Sequence, residues 1–597
     1  MKSVPFVLCA LAGLAPSAFA QVQGPSTQQT PQFLPSDPAS RVRTFSIASN
    51  GNGVTAPDET FPRLNGAALY RLVGVPDGAG ILRTPQDVID GTFTFIMNHE
   101  AGANAGIVRD HGSRGAFVSL WKIRGNPGSA SFLQVVGARD LADEYMLYRP
   151  GTGYETYNAA SPMPAYTNNV LGTGPAPNFD GIGRHCAGDL APPSAFKFGN
   201  FGTDARIYLN GEEIGNPGRA FAYVVTGPGA DTAWELPVHG DYSWENSVAS
   251  PFAQLKTIVV GTDDSTQGNV YVYVGTKTDT GNDIERAGLT NGKVYAVGMT
   301  GTTVNASGQN VEDRPNILGN AASGPVASKA FTMIDMGDQT NTTGSALQSG
   351  ADALGQMNFL RPEDQAWDPC NPERCYFVTT DSFTGNSRLW AMDFTDIAQP
   401  ELGGVISMVG DGSVPASFAG GIVSATGLAD VRMMDNIVCT SLGQVLIQED
   451  VGNNARLGRI WLYDPASDRM TEIALADASR YISGGANFVT QDEESSGIVD
   501  ARKEIGPGWY VLDNQSHYGI AGELIEGSQI LAAFIPGTFC YGDCNADNAL
   551  TVGDFGCFQG KYVLGDLYAD CNLDGAFSVA DFGCFQGKYV LGCPTCP

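Results

Sequence analysis

Between Arg206 and Lys277 three β-like runs, RIYLNGEE, KTIVVGTDD and NVYVYVGTK, follow one another, and acidic residues close the first two. Glu212 and Glu213 end the first run, Asp263 and Asp264 end the second, and Trp244-Glu245-Asn246 lies between them. Side chains at strand ends can converge in space although they are distant in sequence. Carboxylates gathered in that way repel one another, so such a cluster holds cations or titrates to relieve the repulsion. Downstream, Arg361-Pro362-Glu363-Asp364 sets a guanidinium beside two acids; upstream, Glu100 ends FTFIMNHE and Cys186 is the centre of GRHCAGD. A thiolate adds a soft metal ligand. An anion such as phosphate needs cations and a bidentate donor, which metals and Arg361 would supply. Each of these residues alone has a plain explanation as a surface carboxylate or a turn aspartate, and Asp263 and Asp264 equally suit a turn leading into the next strand. Their joint placement at the ends of apolar runs points to a polymetal site.

The elements that must position these groups are short strands. The chain has 597 residues, 75 of them Gly and 34 Pro, and only 16% are charged, which disfavours long amphipathic helices. It is too long for one ordinary core, so a large β-rich domain plus a smaller one is expected. Runs such as CYFVTTDS, SRLWAMDF, GRIWLYDP and GWYVLDNQ recur between Gly, Asn and Asp turns. Many short antiparallel strands over about 500 residues predict an all-β, propeller-like domain, whose circular arrangement leaves little exposed edge. A multi-sheet sandwich is the alternative, because no repeat is clean enough to count blades. The segment 21–40 reads as a flexible lead-in, 41–537 as the large domain and 538–597 as a small domain. Within the large domain, 126–200 reads as a long irregular insertion and 300–356 as loops.

The formal charge is −29, so there is no basic surplus to neutralise phosphates and nucleic-acid binding is disfavoured. Lys2, the apolar run Val4 to Leu14 and the small-residue ending Ala18-Phe19-Ala20 have the pattern of a secretory signal at 1–20. No later stretch approaches the roughly 20 apolar residues of a membrane helix. A secreted, periplasmic or cell-surface location follows, where disulfides persist. Removal of Cys9 with the signal leaves 11 cysteines, so at least one thiol is unpaired, bound to metal or paired between chains. Cys186 with Cys439, and Cys370 with Cys375, are candidate disulfides. There is no GxSxG elbow and no P-loop, and the histidines at 99, 111, 185, 239 and 517 form no zinc signature.

The tail carries a duplication. DCNADNALTVGD (543–554) recurs 27 positions later as DCNLDGAFSVAD (570–581), each followed by FGCFQGKYVLG. Asp543, Asn545, Asp547 and Asp554, and again Asp570, Asn572, Asp574 and Asp581, fall at positions 1, 3, 5 and 12 of a calcium-loop pattern. Cys540, Cys544, Cys557, Cys571, Cys584, Cys593 and Cys596 suggest disulfide stapling of a domain too small to be stable on core burial alone. This duplicated half EF-hand resembles a type I dockerin over about 55 residues, departing from it at Asn548, where Gly is usual and where Gly575 keeps the rule. The resemblance implies calcium in both loops, weaker in the first, and a cohesin-like or cell-surface partner. A structural calcium module without a partner is the alternative.

The large domain resembles the PhoX-type alkaline phosphatases in NHE (98–100), HCAGD (185–189), LNGEE (209–213), WEN (244–246), GTDDSTQGNVYVYVGTK (261–277), AGLTNGKVY (287–295), RPED (361–364) and MDNI (434–437). The similarity implies an exported β-propeller phosphomonoesterase in which Cys186, Glu212, Glu213 and Glu245 hold Fe3+. It further implies that Glu363 with other carboxylates holds Ca2+, that Glu100 and Asp435 are metal-site residues, and that Arg361 receives the phosphate of an ester substrate beside Glu363. His185 stands where that family has Asn, and Asp189-Leu190-Ala191-Pro192-Pro193 replaces a Gly-rich element; His185 could add a ligand. A non-catalytic calcium-stabilised binding propeller and a carbohydrate-active enzyme carried by a dockerin are the competing readings, the latter needing two carboxylates at a defined separation.

Overall fold

The computed structural model describes residues 21–50, 59–162, 181–312 and 328–593; the expected signal at 1–20 and Cys596 lie outside them. Six strands line one axis: β1 (Pro76–Leu82), β2 (Gly188–Leu190), β3 (Trp244–Ala249), β4 (Pro362–Trp367), β5 (Met434–Cys439) and β6 (Glu493–Asp500). Each packs on the next, and β6 packs back on β1, so the ring is closed. From each inner strand a sheet runs outward. β3, for example, pairs with Lys256–Asp263, then Val270–Thr276, then Lys293–Met299. The molecule is a six-bladed β-propeller, which excludes the sandwich.

The sequence pattern explains the packing. In Val270–Thr276, Val270, Val272 and Val274 enter one core while Tyr271 and Tyr273 enter the next. Consecutive side chains point to opposite faces of a strand, and here both faces are covered by neighbouring blades. The strand therefore reads as a continuous apolar run, in the way a strand buried on both sides does. The strand Arg374–Thr379 divides likewise, Cys375 and Phe377 to one core and Tyr376 and Val378 to the other.

The ring is closed by both ends of the domain. Arg43–Asn50 pairs antiparallel with Ile525–Phe534 in the sixth blade, Arg43 opposite Phe534. The segment 21–40 is thus no flexible lead-in. Gln21–Gln23 pairs with the strand from Arg43, and Phe33–Pro35 pairs with Arg469–Ala476 of the fifth blade, with Phe33 fully buried. Backbone pairing holds this polar stretch where composition alone predicts no order. Two other segments expected to be irregular also contain elements. Strands Val135–Asp140 and Glu144–Arg149 lie in 126–200, and strand Lys329–Gly337 and helix Gly344–Ala353 lie in 300–356.

The C-terminal part contains α1 (Val552–Leu564) and α2 (Val579–Leu591). It is crosslinked by Cys540–Cys593, Cys544–Cys557 and Cys571–Cys584. Tyr541, Phe558, Tyr568 and Phe585 share one hydrophobic cluster with Phe45, Trp509 and Phe534 of the propeller. The small domain therefore packs on the side of the ring, and Arg41 Nε donates to the Leu573 carbonyl at 2.7 Å. Cys186, Cys375 and Cys439 are free thiols and Cys370 is disulfide-bonded elsewhere, so neither candidate pairing in the large domain forms. Among the described residues no helix is long and apolar enough to cross a membrane.

Candidate metal centre

The second residue of five inner strands is acidic: Asp77 in β1, Glu245 in β3, Glu363 in β4, Asp435 in β5 and Glu494 in β6. In the remaining blade, Cys186 stands just ahead of β2. A local device repeats at these positions. Pairing with the neighbouring strand shifts register between Pro76 and Ala79, Trp244 and Ser247, Pro362 and Gln365, and Met434 and Ile437. A bulge of this kind sets extra residues against the partner strand and re-aims a side chain; here it straddles each donor. In β6 the shift comes later, between Ser496 and Val499. Two residues before the donor, the chain enters through a left-handed conformation in four blades, with φ of 52° at Val75, 27° at Arg184, 56° at Arg361 and 52° at Met433. Non-glycine residues, and a β-branched one above all, adopt such φ at a cost, and strain of this kind concentrates at functional sites.

The donors meet in four groups whose ligand atoms lie within 4.8 Å of one another: Asp77–Glu100–Cys186, Cys186–Glu213–Glu245, Glu245–Asp264–Glu363 and Asp435–Asp450–Glu494. Cys186 and Glu245 each belong to two groups, so the first three form a chain across blades. Residues following the donors brace the ring. Asn246 Nδ2 donates to the Asp364 carboxylate, which also accepts the Ile437 amide at 2.8 Å, and Asn436 Nδ2 donates to Asp77 at 3.3 Å.

Of the residues singled out in the sequence, Glu100, Cys186, Glu213, Glu245, Asp264, Glu363 and Asp435 converge. Glu212 does not. Its carboxylate accepts from Arg219 Nε at 2.6 Å and Nη2 at 3.0 Å, and from the Gly183 amide at 2.8 Å. Adjacent residues at a strand end face opposite ways, so when Glu213 turns to the axis Glu212 turns into the blade. Removing one partner of such a buried pair costs about 3–5 kcal/mol, which makes Glu212 a structural residue. His185 is no ligand either. Its Nδ1 lies 3.0 Å from the Gly211 carbonyl and its Nε2 2.8 Å from the Tyr223 hydroxyl, and burial lowers its pKa to about 4. Asp77, Asp450 and Glu494 were missed. An acid followed by a glycine or small polar residue, as in Asp77-Gly78, Glu245-Asn246, Asp435-Asn436 and Glu494-Ser495, is the available signal for Asp77 and Glu494, and Asp450, followed by Val451, carries none.

Burial drives the electrostatics. The carboxyls of Asp77, Glu213, Glu245, Glu363 and Asp435 are all pushed well above the usual range, first by burial and then by neighbouring carboxylates. Burial also raises the Cys186 thiol, which donates to Asp77 at 3.3 Å. Two guanidinium groups offset part of this charge. Arg361 grips Asp264 with Nε and Nη2, both at 2.8 Å, and reaches Glu363 at 3.1 Å. Arg184 pairs with Glu100 and Glu213. Beside Glu494 and Glu526, hydrogen bonds to both carboxylates outweigh burial and push His517 up to about 12. Glu245 Oε1 is fully buried and has no hydrogen-bond partner among the described residues, and both oxygens of the buried Asp513 are in the same state. An ionised carboxylate in that condition is costly unless a cation faces it. The donor set therefore fits metals: oxygen ligands for hard cations and one thiolate for a softer one.

Fold and site together define a six-bladed propeller with a buried carboxylate-and-thiolate ring on its axis. No family model and no curated protein matches the chain. Solved structures do. PhoX of Pseudomonas fluorescens in complex with vanadate, a transition-state analogue, aligns with a TM-score of 0.52 and 12% identity, covering 83% of this chain and 95% of that one. The gluconolactonase XC5397 of Xanthomonas campestris (TM-score 0.29, 8% identity, 82% and 98% coverage) and the GH43 β-1,3-galactosidase BT3683 (0.30, 10%, 80% and 94%) also match. The PhoX likeness, at 12% identity, bears on the fold alone.

Proposed function

We propose that the chain is an exported, metal-dependent phosphomonoesterase whose centre is the axial ring. The observation that carries this reading is Glu245, a buried carboxylate with an unpartnered oxygen where two donor groups meet, beside an arginine already oriented by Asp264. Glu100, Glu213, Glu245, Asp264, Glu363, Asp435 and Asp77 would hold calcium, and Cys186 with Glu213 and Glu245 would hold iron. When bound, such cations supply charge neutralisation of a phosphoryl group and acidify water. Arg361 presents a guanidinium fixed on one side by Asp264 and stacked at 5.7 Å over the Phe383 ring, so its remaining edge can receive a phosphoryl oxygen with little loss of freedom. The PhoX likeness in fold supports this reading.

Purified mature protein should hydrolyse a generic aryl phosphate when metal-loaded and lose that activity on chelation. Full metal occupancy without hydrolysis would overturn the enzyme reading and leave a binding propeller.

For the small domain we infer two calcium loops of a dockerin-like anchoring module. In both loops the first aspartate accepts the amide of the sixth residue at 2.9 Å, Asp543 from Asn548 and Asp570 from Gly575. Asn548 takes φ of 63° where Gly575 has 84°, so asparagine reproduces the glycine turn. Calcium titration of the full chain should lose one equivalent in Asp543→Ala and one in Asp570→Ala. Unchanged stoichiometry in both variants contradicts the loops.

A further inference from the structure

Six chain positions are equivalent in this ring: the residue two before each axial donor. They are Val75, Arg184, Ser243, Arg361, Met433 and Asp492. Only two are basic, and they flank the third blade, whose Glu245 is shared by two donor groups. Both arginines have positive φ, 27° and 56°. Both spend the same edge on carboxylates. Arg184 turns Nε (3.1 Å) and Nη2 (2.5 Å) to Glu213 and Nη2 to Glu100, while Arg361 turns Nε and Nη2 to Asp264 and Nη2 to Glu363. Nη1 of neither has a partner among the described residues. The carboxylates they hold are between 3% and 13% exposed, whereas the arginine side chains are 49% and 24% exposed. Each guanidinium therefore stands between the buried ring and solvent, Arg184 over Asp77–Glu100–Cys186 and Cys186–Glu213–Glu245 and Arg361 over Glu245–Asp264–Glu363, the groups that meet at Glu245, with one amino group of each uncommitted.

We infer that Arg184 is a second anion-binding residue which, with Arg361, forms a two-arginine clamp for a doubly charged phosphoryl group. The inference rests on the phosphatase reading and adds a second residue to its anion site. Two fixed guanidinium groups match the dianion of a phosphate monoester, and a singly charged diester satisfies only one of them. Carboxylates on the far edge of each guanidinium keep both planes fixed, so donation to an anion costs little reorganisation. Arg184 as a mere counter-ion for Glu100 and Glu213 is the competing account, and it predicts no effect on anion affinity once metals are bound.

The test is calorimetric titration of the metal-loaded full chain with inorganic phosphate, in wild type, Arg184→Gln and Arg184→Lys, with metal content measured on the same samples. A charge-assisted contact of this type corresponds to a roughly 10- to 100-fold weaker phosphate Kd in Arg184→Gln, partly restored in Arg184→Lys, at unchanged metal stoichiometry. For an aryl monoester kcat/KM should fall at least about 10-fold more than for the matching diester. Phosphate affinity per metal-loaded molecule that equals wild type in Arg184→Gln would overturn the clamp, whether or not metal content falls. Absence of phosphate binding by metal-loaded wild type would instead sink the phosphatase reading itself.

Discussion

Glu245→Gln is expected to lower hydrolysis of an aryl phosphate by about 10³-fold, with loss of bound metal, while the propeller stays folded. The side chain changes by one atom and keeps its volume, so packing around β3 is preserved. The charge, however, disappears at the junction of Cys186–Glu213–Glu245 and Glu245–Asp264–Glu363. In the metal-free protein the same substitution should act in the opposite direction. The Glu245 carboxyl is pushed well above its ordinary range by burial, then by Glu363 and Asp77, and one of its oxygens has no partner. Replacing it by an amide removes repulsion, which should raise apo stability by about 1 kcal/mol or more. Metal analysis, activity and thermal melts of both forms check this pair of outcomes. Wild-type metal stoichiometry and activity in Glu245→Gln would remove Glu245 from the centre.

Chelation should produce the second large effect, a loss of roughly 5 °C or more in Tm that grows as pH rises. The sign follows from the ring carboxyls. Their folded-state pKa values lie above the unfolded value of about 4; Asp450, raised by burial and by Glu494, reaches about 7, and Asp77, Glu245, Glu363 and Asp435 are raised well above their ordinary values. A carboxyl with a raised folded pKa binds its proton more tightly in the native state. The stability this gives the metal-free protein is complete below about pH 4 and is lost as pH rises through pH 7. Cation binding has the reverse dependence, because ligands must lose their protons to bind metal. Melting curves with and without chelator across pH 5 to 8 should therefore diverge toward high pH. Parallel curves would show that the ring is not where cations act on stability.

Much of the centre could be read from residue types. Acids closing apolar runs pointed to Glu100, Glu213 and, with a turn as the equal alternative, Asp264; Glu245 stood between two such runs, Glu363 beside Arg361 in RPED and Cys186 at the centre of GRHCAGD, and motif resemblance brought in Asp435. The failures share a cause. Glu212 and Glu213 are indistinguishable as letters, and only the facing of the strand end sends one to Arg219 and the other to the axis. Asp77, Asp450 and Glu494 sit in unremarkable contexts, VPDG, QEDV and DEES, and become donors because a bulge or a neighbouring blade aims them inward.

The sequence by itself determined the local matters. Alternating Val and Tyr in Val270–Thr276 specify a strand buried on both faces, the tail repeat specifies two loop-helix units, and the acids declare how much negative charge must be balanced. Only the tertiary structure decided the blade number, the pairing of Arg43–Asn50 with Ile525–Phe534, and the docking of the small domain on the ring. Ring closure joins residues almost 500 positions apart, and no local propensity encodes a contact at that distance. The axial site exists because six unrelated strand entries meet around one axis, four of them through a left-handed residue, and that arrangement belongs to the backbone rather than to any pattern of letters.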